Sequence, residues 1–252
     1  MGDTVNAALI IIGDEILSGR TDDANLVHLA RWLNEEGIRL KEVRVVADDM
    51  VAIGAAVNAL RTSHNYLFTT GGIGPTHDDI TVDSVAAALG LGVEYHPEAL
   101  ALLEGFYGKD KLTDDRKRMA RVPEGADLIP NPMSGAPGIR INNVFLMAGI
   151  PGIMRGMLEG LRGQLKGGTP MLSDTVTIFA TESDIAGFVG DVQRENPDVA
   201  IGSYPFFRKN RMGAALVVRG TDTARIHDVL ATLTRHADTL GIPHEVEPDG
   251  QN

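Results

Sequence analysis

The stretch that decides the fold is residues 66–79, which read YLFTTGGIGPTHDD. Its first five residues are apolar or β-branched and predict a strand. The glycines predict a tight turn, and the two acids open a helical pattern over residues 79–89. In open α/β sheets, ligands bind at the carboxyl ends of the strands, which is where this turn lies. Glycines there let backbone N–H groups approach a phosphate, so the stretch predicts a phosphate-binding turn.

The residues before this stretch alternate between strand and helix patterns. A continuous apolar run at residues 7–12 predicts a strand buried on both faces. Helical spacing over residues 25–33, a strand over 39–47 and an alanine-rich helix over 50–61 follow. This alternation predicts a doubly wound α/β fold with a mostly parallel sheet.

The second half of the chain is less regular. Residues 98–107 and 113–121 predict helices, residues 123–138 a Pro- and Gly-rich loop, and residues 138–147 a hairpin that turns at Asn142 and Asn143. The run Gly-Gly-Thr-Pro at residues 167–170 predicts a domain boundary. Beyond it the order βαββα predicts a small α+β domain. We therefore expect domains at residues 1–168 and 171–242, and a loose polar tail at 243–252.

Composition excludes several classes of protein. The chain of 252 residues has a net charge of −11 and no cysteine, which excludes disulfides and Cys-ligated zinc and fits a cytoplasmic protein. Its sequence holds no apolar run long enough for a membrane span and no signal peptide. The acidic balance argues against nucleic acid as a partner. A phosphate-bearing ligand would therefore need local backbone donors, a basic cluster or a metal ion.

A second acidic motif follows the first predicted strand. The sequence Gly-Asp-Glu-Ile-Leu at residues 13–17 places Asp14 and Glu15 where they could face the glycine turn, because the first and third strands of such a sheet can be neighbours. Carboxylates beside a phosphate repel it unless a hard cation such as Mg²⁺ bridges them. The alternative for this motif is a capping role for the loop that follows it. Asp78 and Asp79 could be an N-cap and a first-turn acid of the next helix, a role that is compatible with metal binding.

Two other regions are more ambiguous. The loops at residues 131–138 and 149–152 could close over a ligand or simply turn the chain. A basic cluster spreads over more than one face of its predicted helix, which favours a solvated surface; it comprises Arg116, Lys117, Arg118 and Arg121.

Four motifs in this order resemble a known family: Gly-Asp-Glu-Ile-Leu at 13–17, the glycine–acid stretch at 69–79, Gly-Ala-Pro-Gly at 135–138 and Gly-Ile-Pro at 149–151. Together they resemble the MoaB/Mog-like molybdopterin-binding domain, of the type found in the N-terminal half of the competence/damage-inducible protein A (CinA) family. The branch that is most similar includes the N-terminal domain of eukaryotic FAD synthases. The resemblance covers about residues 7–165 and implies a three-layer αβα sandwich followed by that branch's small α+β domain.

The resemblance also implies a metal-dependent cleavage of a nucleotide pyrophosphate such as ADP-ribose or FAD, with AMP as one product. It implies that phosphates are held by Thr70, Gly71, Gly72, Gly74, Pro75 and Thr76, with Gly135, Ala136, Pro137 and Gly138 lining the same cleft. The implied catalytic or metal-binding carboxylates are Asp14, Asp78 and Asp79, with Glu15 as a further metal ligand. The implied cofactor is a divalent cation of the Mg or Co type, and molybdopterin is a possible ligand.

Departures from the family pattern limit these expectations. Ala148 replaces a proline and Ile153 an acid, so no catalytic role is expected there. We expect neither nicotinamide-mononucleotide deamidation nor FAD synthesis, because the domains for them do not follow in this sequence. Two alternatives stay open: a binding protein that carries molybdopterin or a nucleotide without catalysis, and a molybdopterin adenylyltransferase. We also expect a small-molecule partner, no membrane partner, and a homo-oligomer, either a dimer or a trimer.

Overall fold

The computed structural model describes residues 5–208 and 211–246. The chain divides into two compact units, Met1–Gly168 and Thr169–Asn252, which are described separately. Among the described residues, no helix combines the length and the apolar character needed to cross a membrane.

The first unit is built on a six-stranded sheet. Its strands are β1 (Asn6–Ile12), β2 (Arg39–Val46), β3 (Tyr66–Thr70), β6 (Asp127–Ile129), β7 (Gly138–Ile141) and β8 (Val144–Met147), and a separate short pair is formed by β4 (Val93–Tyr95) and β5 (Arg121–Pro123). The sheet order is β2-β1-β3-β8-β7-β6, and only β7 runs against the others. The prediction of a mostly parallel α/β sheet is therefore confirmed.

Helices cover both faces of this sheet. The helices of the first unit are α1 (Asp14–Leu17), α2 (Asn25–Glu35), α3 (Met50–Arg61), α4 (Thr81–Leu89), α5 (Pro97–Tyr107), α6 (Asp114–Lys117) and α7 (Pro151–Leu161). Residues of α2 and α7 form one apolar core with one face of the sheet, and residues of α3 and α4 form a second core with the other face. The result is the αβα sandwich expected from the resemblance.

The register of β3 sends its last two side chains to opposite faces. Thr70 pairs with Ile11 of β1 and Met147 of β8, which belong to the α2/α7 core. Thr69 pairs with Ile10 and Leu146, which belong to the α3/α4 core. Successive side chains of a strand alternate between faces, so these neighbours meet different surroundings.

The structure differs from the predictions in the region before β7. The predicted helix over residues 113–121 is only the short α6, followed by a 3₁₀ turn at Arg118–Ala120. It stops there because residues 121–123 pair with β4 instead of continuing the helix. The predicted loop over 123–138 contains β6, which pairs with β7. The hairpin turn is as predicted, and Asn142 has the positive φ of 53° that a tight turn requires.

The second unit is a small antiparallel sheet covered by helices. It consists of β9 (Leu172–Ile178), α8 (Glu182–Glu195), β10 (Ala200–Arg208), β11 (Arg211–Gly220), α9 (Thr223–Thr239) and β12 (His244–Val246), with the sheet order β10-β11-β9-β12. The predicted βαββα order is present. The strand β12 differs from the loose tail predicted from residue 243, because its backbone pairs with the otherwise open edge of β9. Residues 247–252 of that tail lie outside the described residues.

Candidate ligand-binding site

A cavity of about 760 Å³ opens at the carboxyl ends of β1, β3 and β8. This volume is in the range of pockets that enclose small organic ligands. Its walls come from the end of β1, the start of α2, the glycine turn after β3, the loop before β7 and the start of α7. The site therefore lies where parallel strands of an α/β sheet expose their ends.

The glycine turn is held so tightly that side chains cannot replace its hydrogens. A Cβ on Gly71 would lie 2.2 Å from the carbonyl oxygen of Ile12, and one on Gly72 would lie 2.2 Å from Oγ1 of Thr81. Both glycines also have positive φ, 98° and 66°. Thr81 fixes the turn from the first residue of α4, since its hydroxyl donates to the Gly71 carbonyl (2.9 Å) and its N–H to the Gly72 carbonyl (2.9 Å).

The same turn presents backbone donors to the cavity. The N–H of Gly71 is used by the carbonyl of Met147. The N–H groups of Gly72, Ile73 and Gly74 make no hydrogen bond within residues 5–208 and 211–246, and all three residues line the cavity. Successive N–H groups of this kind can bind an anion, as predicted from the sequence.

Carboxylates surround this turn. Six acidic residues line the cavity: Glu15, Asp22, Asp23, Asp48, Asp78 and Asp79. Asp48 shows their mutual effect, because its pKa is raised by burial and by the charges of Asp14, Glu15 and Asp78, although a hydrogen bond from the Asp14 N–H (3.0 Å) opposes this shift. A cation would relieve this repulsion.

The last two carboxylates of the turn differ in their contacts. Asp79 accepts a hydrogen bond from the N–H of Thr76 (2.7 Å) and another from its hydroxyl, so it closes the turn around Pro75. Asp78 is exposed, and its pKa is lowered by hydrogen bonds from the Thr76 side chain and from its own backbone and by nearby His77. Asp78 thus combines exposure to the cavity with a lowered pKa.

The structure brings most of the predicted site residues together. The predicted residues that line the cavity are Glu15, Thr70, Gly71, Gly72, Gly74, Pro75, Asp78, Asp79 and Ala136. The predicted residues outside the lining are Asp14, Thr76, Gly135, Pro137 and Gly138. Of these, Asp14 acts on the site through its contact with Asp48, and Thr76 through Asp79. Gly138 lies within β7, where it pairs with Ile129 of β6.

The expectation of a solvated surface for the basic cluster is wrong. Arg116 lines the cavity and is the only Lys or Arg among its lining residues. Its guanidinium lies 4.3 Å from the ring centre of Tyr107, which also lines the cavity, and donates to the carbonyl of Lys111. Arg121 is partly buried and forms an ion pair with Asp83. The cluster spreads over several elements because α6 ends after one turn, which the helical pattern did not indicate.

Two buried polar atoms of the cavity wall have no partner. The side-chain amide of Asn25 donates to the carbonyl of Gly149 (2.8 Å), which leaves its Oδ1 without a hydrogen bond among the described residues. The hydroxyl of Thr70 is also unpaired there. Both residues are almost fully buried, with 4% and 1% of their surface exposed. Unpaired buried polar groups are rare, and because these two residues line the cavity, a water or a ligand there could supply the missing hydrogen bonds.

A divalent cation needs oxygen ligands, and the cavity offers carboxylate oxygens. Within the described ranges 5–208 and 211–246, no group of three or more His, Cys, Asp or Glu side chains forms a ready-made metal centre. Mg²⁺, however, is commonly held by one or two carboxylates together with substrate phosphates and waters. The carboxylates whose charges act on Asp48 fit this shared mode of binding.

Comparison with known proteins agrees with this architecture. Residues 8–167 match a family model described as "Probable molybdopterin binding domain", and residues 170–244 match one described as "FAD synthase, middle domain". The chain belongs to the molybdopterin-binding domain family. The resemblance drawn from the glycine–acid motifs is therefore confirmed, including its FAD synthase branch.

Several relatives match most of this chain. Protein TV0584 of Thermoplasma volcanium is 30% identical over 251 residues, which cover 93% of this chain and 97% of that protein. A protein of Aeropyrum pernix is 35% identical over 210 residues, covering 79% of this chain and 78% of its own. The crystal structure of "the protein CinA with unknown function" from Thermoplasma acidophilum is 32% identical, covers 63% of this chain and 96% of that one, and superposes with a TM-score of 0.60.

Sequence reasoning missed three residues of this candidate site. Asp48 lies two residues after the end of β2, and its place near the carboxyl end of a strand is a signal that the sequence offers. Asn25 begins a predicted helix, and its burial, which is unusual for a polar residue, is seen only in the structure. The position of Arg116 in the cavity wall depends on where α6 ends, and the local sequence pattern does not indicate that end.

Proposed function

We propose that the chain is a metal-dependent nucleotide pyrophosphatase that cleaves a diphosphate of the ADP-ribose or FAD type. The observation that carries this proposal is the meeting of anion-binding N–H groups with several carboxylates in one cavity. Backbone donors suit phosphate oxygens, whereas carboxylates beside a phosphate need a cation. A site for an uncharged ligand would need neither group.

The glycine turn supplies the phosphate-binding part. The N–H groups of Gly72, Ile73 and Gly74 can donate to phosphate oxygens, including the charge that develops during attack on phosphorus. Their positions are fixed before binding, because Thr81 holds the turn at its start and Asp79 closes it through Thr76. Little reorganisation is then needed when the ligand enters.

The carboxylates supply the cation-binding part. Asp78 and Glu15 line the cavity directly, and Asp48 lies close enough for their charges to raise its pKa. These residues would hold a divalent cation together with the two phosphates, while Asp14 supports Asp48 through its N–H. When bound, such a cation neutralises phosphate charge and lowers the pKa of an attacking water. In the reaction, a water oxygen bonds to one phosphorus, the bridging P–O bond breaks, and AMP and a second phosphate monoester leave.

Arg116 supplies the positive charge that the cavity otherwise lacks. Its guanidinium is held by the Tyr107 ring and the Lys111 carbonyl, so it is oriented before a ligand binds. We propose that it binds the phosphate away from the glycine turn, since guanidinium groups suit phosphate oxygens.

A non-catalytic role is the second candidate. The family description names molybdopterin binding, which supports a protein that holds a pterin or nucleotide without cleaving it. The two candidates differ in one measurable product. They also share the cavity, so binding alone does not separate them.

The first test is to incubate the purified protein with FAD, ADP-ribose or NAD, each with Mg²⁺ or Co²⁺ and each with chelator, and to measure AMP. Metal-dependent AMP from at least one substrate is expected. Absence of AMP from all three, together with binding of a pterin in titration, would support the non-catalytic candidate instead. Formation of an adenylylated pterin from ATP would identify an adenylyltransferase and contradict the pyrophosphatase proposal.

The matched variants are Asp78→Asn and Asp115→Asn. Asp78 lines the cavity, whereas Asp115 is an exposed carboxylate on α6 outside the lining. We expect Asp78→Asn to lower kcat for AMP release by about 100-fold or more, as for loss of one transition-state contact. Asp115→Asn should keep wild-type kcat. Equal activity of the two variants would remove Asp78 from the proposed mechanism.

A further inference from the structure

The cavity is polar at the glycine turn but apolar on another wall. That wall is formed by Ile11, Ile16, Ala148, Ile153 and Met157, which belong to or pack against the α2/α7 core. Within the described residues, its unpaired buried polar atoms are Oδ1 of Asn25 and the hydroxyl of Thr70. An apolar surface with a few placed polar groups is how proteins bind flat organic rings.

The chemistry of Asn25 excludes a phosphate as its partner. Because its Nδ2 already donates to Gly149, the amide orientation is fixed and the free atom is Oδ1, which can only accept. A phosphate oxygen is also an acceptor, so the two would repel. The partner must carry a donor, and an apolar wall favours a ring N–H over a sugar that is rich in hydroxyl groups.

Thr70 lies on the same face of the sheet. It pairs in register with Ile11 and Met147, both members of the α2/α7 core that continues into the apolar wall. Its neighbour Thr69 is equally buried and also has an unpaired hydroxyl, but it faces the α3/α4 core and does not line the cavity. Substitutions at Thr69 and at Thr70 can therefore be compared, and only the one at Thr70 removes a hydroxyl from the cavity wall.

We propose that Asn25 and Thr70 form the ring-recognition point of this site, where Asn25 Oδ1 accepts a hydrogen bond from an N–H of a planar heterocycle. This inference rests on the proposed function for the placement of phosphates at the glycine turn. It changes the role of Thr70 from phosphate binding, which the resemblance implied, to ring binding. The ring donor is shared by the amino group of adenine and by the N–H of a flavin or pterin.

The first experiment measures equilibrium binding in the presence of Mg²⁺, because the carboxylates of the cavity would repel a phosphate without a cation. Wild type, Thr70→Val and Thr69→Val are titrated with AMP, with FMN and with inorganic pyrophosphate. Thr70→Val should weaken the better-bound of AMP and FMN by about tenfold, the value of one hydrogen bond. Thr69→Val should leave this affinity unchanged, and pyrophosphate should bind all three proteins equally.

Three results would overturn the proposal. Equal losses of ring-ligand affinity in Thr69→Val and Thr70→Val would show that the cavity contact has no role. A matching loss for pyrophosphate in Thr70→Val would return Thr70 to the phosphates. A failure of both AMP and FMN to bind wild type would show that the site does not take such a ring. The choice between AMP and FMN identifies which half of the ligand reaches this wall.

The second experiment tests the donor itself. If AMP is the better ligand, purine riboside 5′-monophosphate lacks the amino group; if FMN is, its N3-methyl derivative lacks the N–H. Removing the donor should cost wild type about tenfold in affinity and cost Asn25→Leu nothing further, as in a double-mutant cycle. Independent losses in protein and ligand would overturn the assignment. If Asn25→Leu does not fold, Thr70→Val still decides the proposal, because its hydroxyl has no partner among the described residues to lose.

Failure of this inference can be told from failure of the proposed function. The titrations measure binding and detect no cleavage, whereas the AMP assay depends on catalysis by the carboxylates. Cleavage with unchanged ring affinity in Thr70→Val would keep the pyrophosphatase and reject the ring-recognition point. Ring-dependent binding without AMP release would keep the ring-recognition point and reject the pyrophosphatase.

Discussion

The two units of the chain treat their buried polar groups in different ways. Among the described residues, every buried side-chain polar atom without a partner lies in the first unit, and so does every residue that lines the large cavity. In the second unit the buried threonines Thr175 and Thr177 are not among these unpaired groups, and buried apolar residues of the sheet and of both helices form one core. Antiparallel strands can be joined by hairpins. The carboxyl ends of parallel strands instead lie together at one edge of the sheet, where ligands commonly bind. The comparison places the candidate ligand site within the first unit.

The largest loss of stability should come from a cavity made in the apolar core of the second unit. Leu233 on α9 is fully buried in that core. We expect Leu233→Ala to lower the free energy of unfolding by about 2–5 kcal/mol, the usual cost of such a cavity. Calorimetry measures this loss, and titration at a temperature where the variant is folded should show unchanged ligand affinity. A fall in affinity would contradict the assignment of ligand binding to the first unit alone.

A smaller loss of stability should distinguish the cost of a left-handed backbone from the cost of a steric collision at the glycine turn. Gly72 and Gly241 have the same φ of 66°, but a Cβ at Gly72 would collide with Thr81, whereas nothing lies within 4 Å of one at Gly241. Gly241→Ala should cost only the left-handed backbone penalty of about 1–2 kcal/mol. Gly72→Ala should cost more and abolish ligand binding, because the turn must shift. Equal thermal stabilities for the two variants would mean that the turn is not clamped.

Charge in the cavity gives the next prediction. Arg116→Met should weaken nucleotide binding by about tenfold through loss of one charged contact with phosphate. The matched control is Lys117→Met, on the same short helix but outside the cavity lining. Titration with AMP measures both, and equal affinities would remove Arg116 from the binding site.

The smallest effect should be a gain of stability from the acidic cluster. The raised pKa of Asp48 means that its ionised form is disfavoured in the folded protein by burial and by the charges of Asp14, Glu15 and Asp78. Asp48→Asn should therefore stabilise the ligand-free protein at neutral pH by less than about 1 kcal/mol, as expected for a partly exposed group. An asparagine oxygen can still accept from the Asp14 N–H.

The stabilising effect of Asp48→Asn should depend on pH. The cost of ionising Asp48 is present above its folded pKa and disappears as the pH falls below its unfolded value. The advantage of Asp48→Asn should therefore fade on acidification in melting experiments. An advantage that grows at low pH would contradict the proposed repulsion.

Much of the site was readable from local pattern. The strand before the glycine turn and the helix over residues 50–61 have the predicted bounds, because each is a short segment with a strong period and clear ends. The region from α6 to β7 was not predictable in this way. Its helix stops where residues 121–123 pair with β4, a partner that lies almost thirty residues away in sequence.

The sequence by itself determined the parallel α/β architecture, the glycine turn and most of the acidic residues around it, because buried strands, positive-φ glycines and helix starts leave local signals. Only the tertiary structure decided that Asp48, Asn25 and Arg116 line the same cavity as that turn, since these residues lie on segments that are distant along the chain. It also decided which of two adjacent threonines faces the cavity. That choice depends on strand register, which is set by pairing with β1 and β8 and not by the residues of β3 alone.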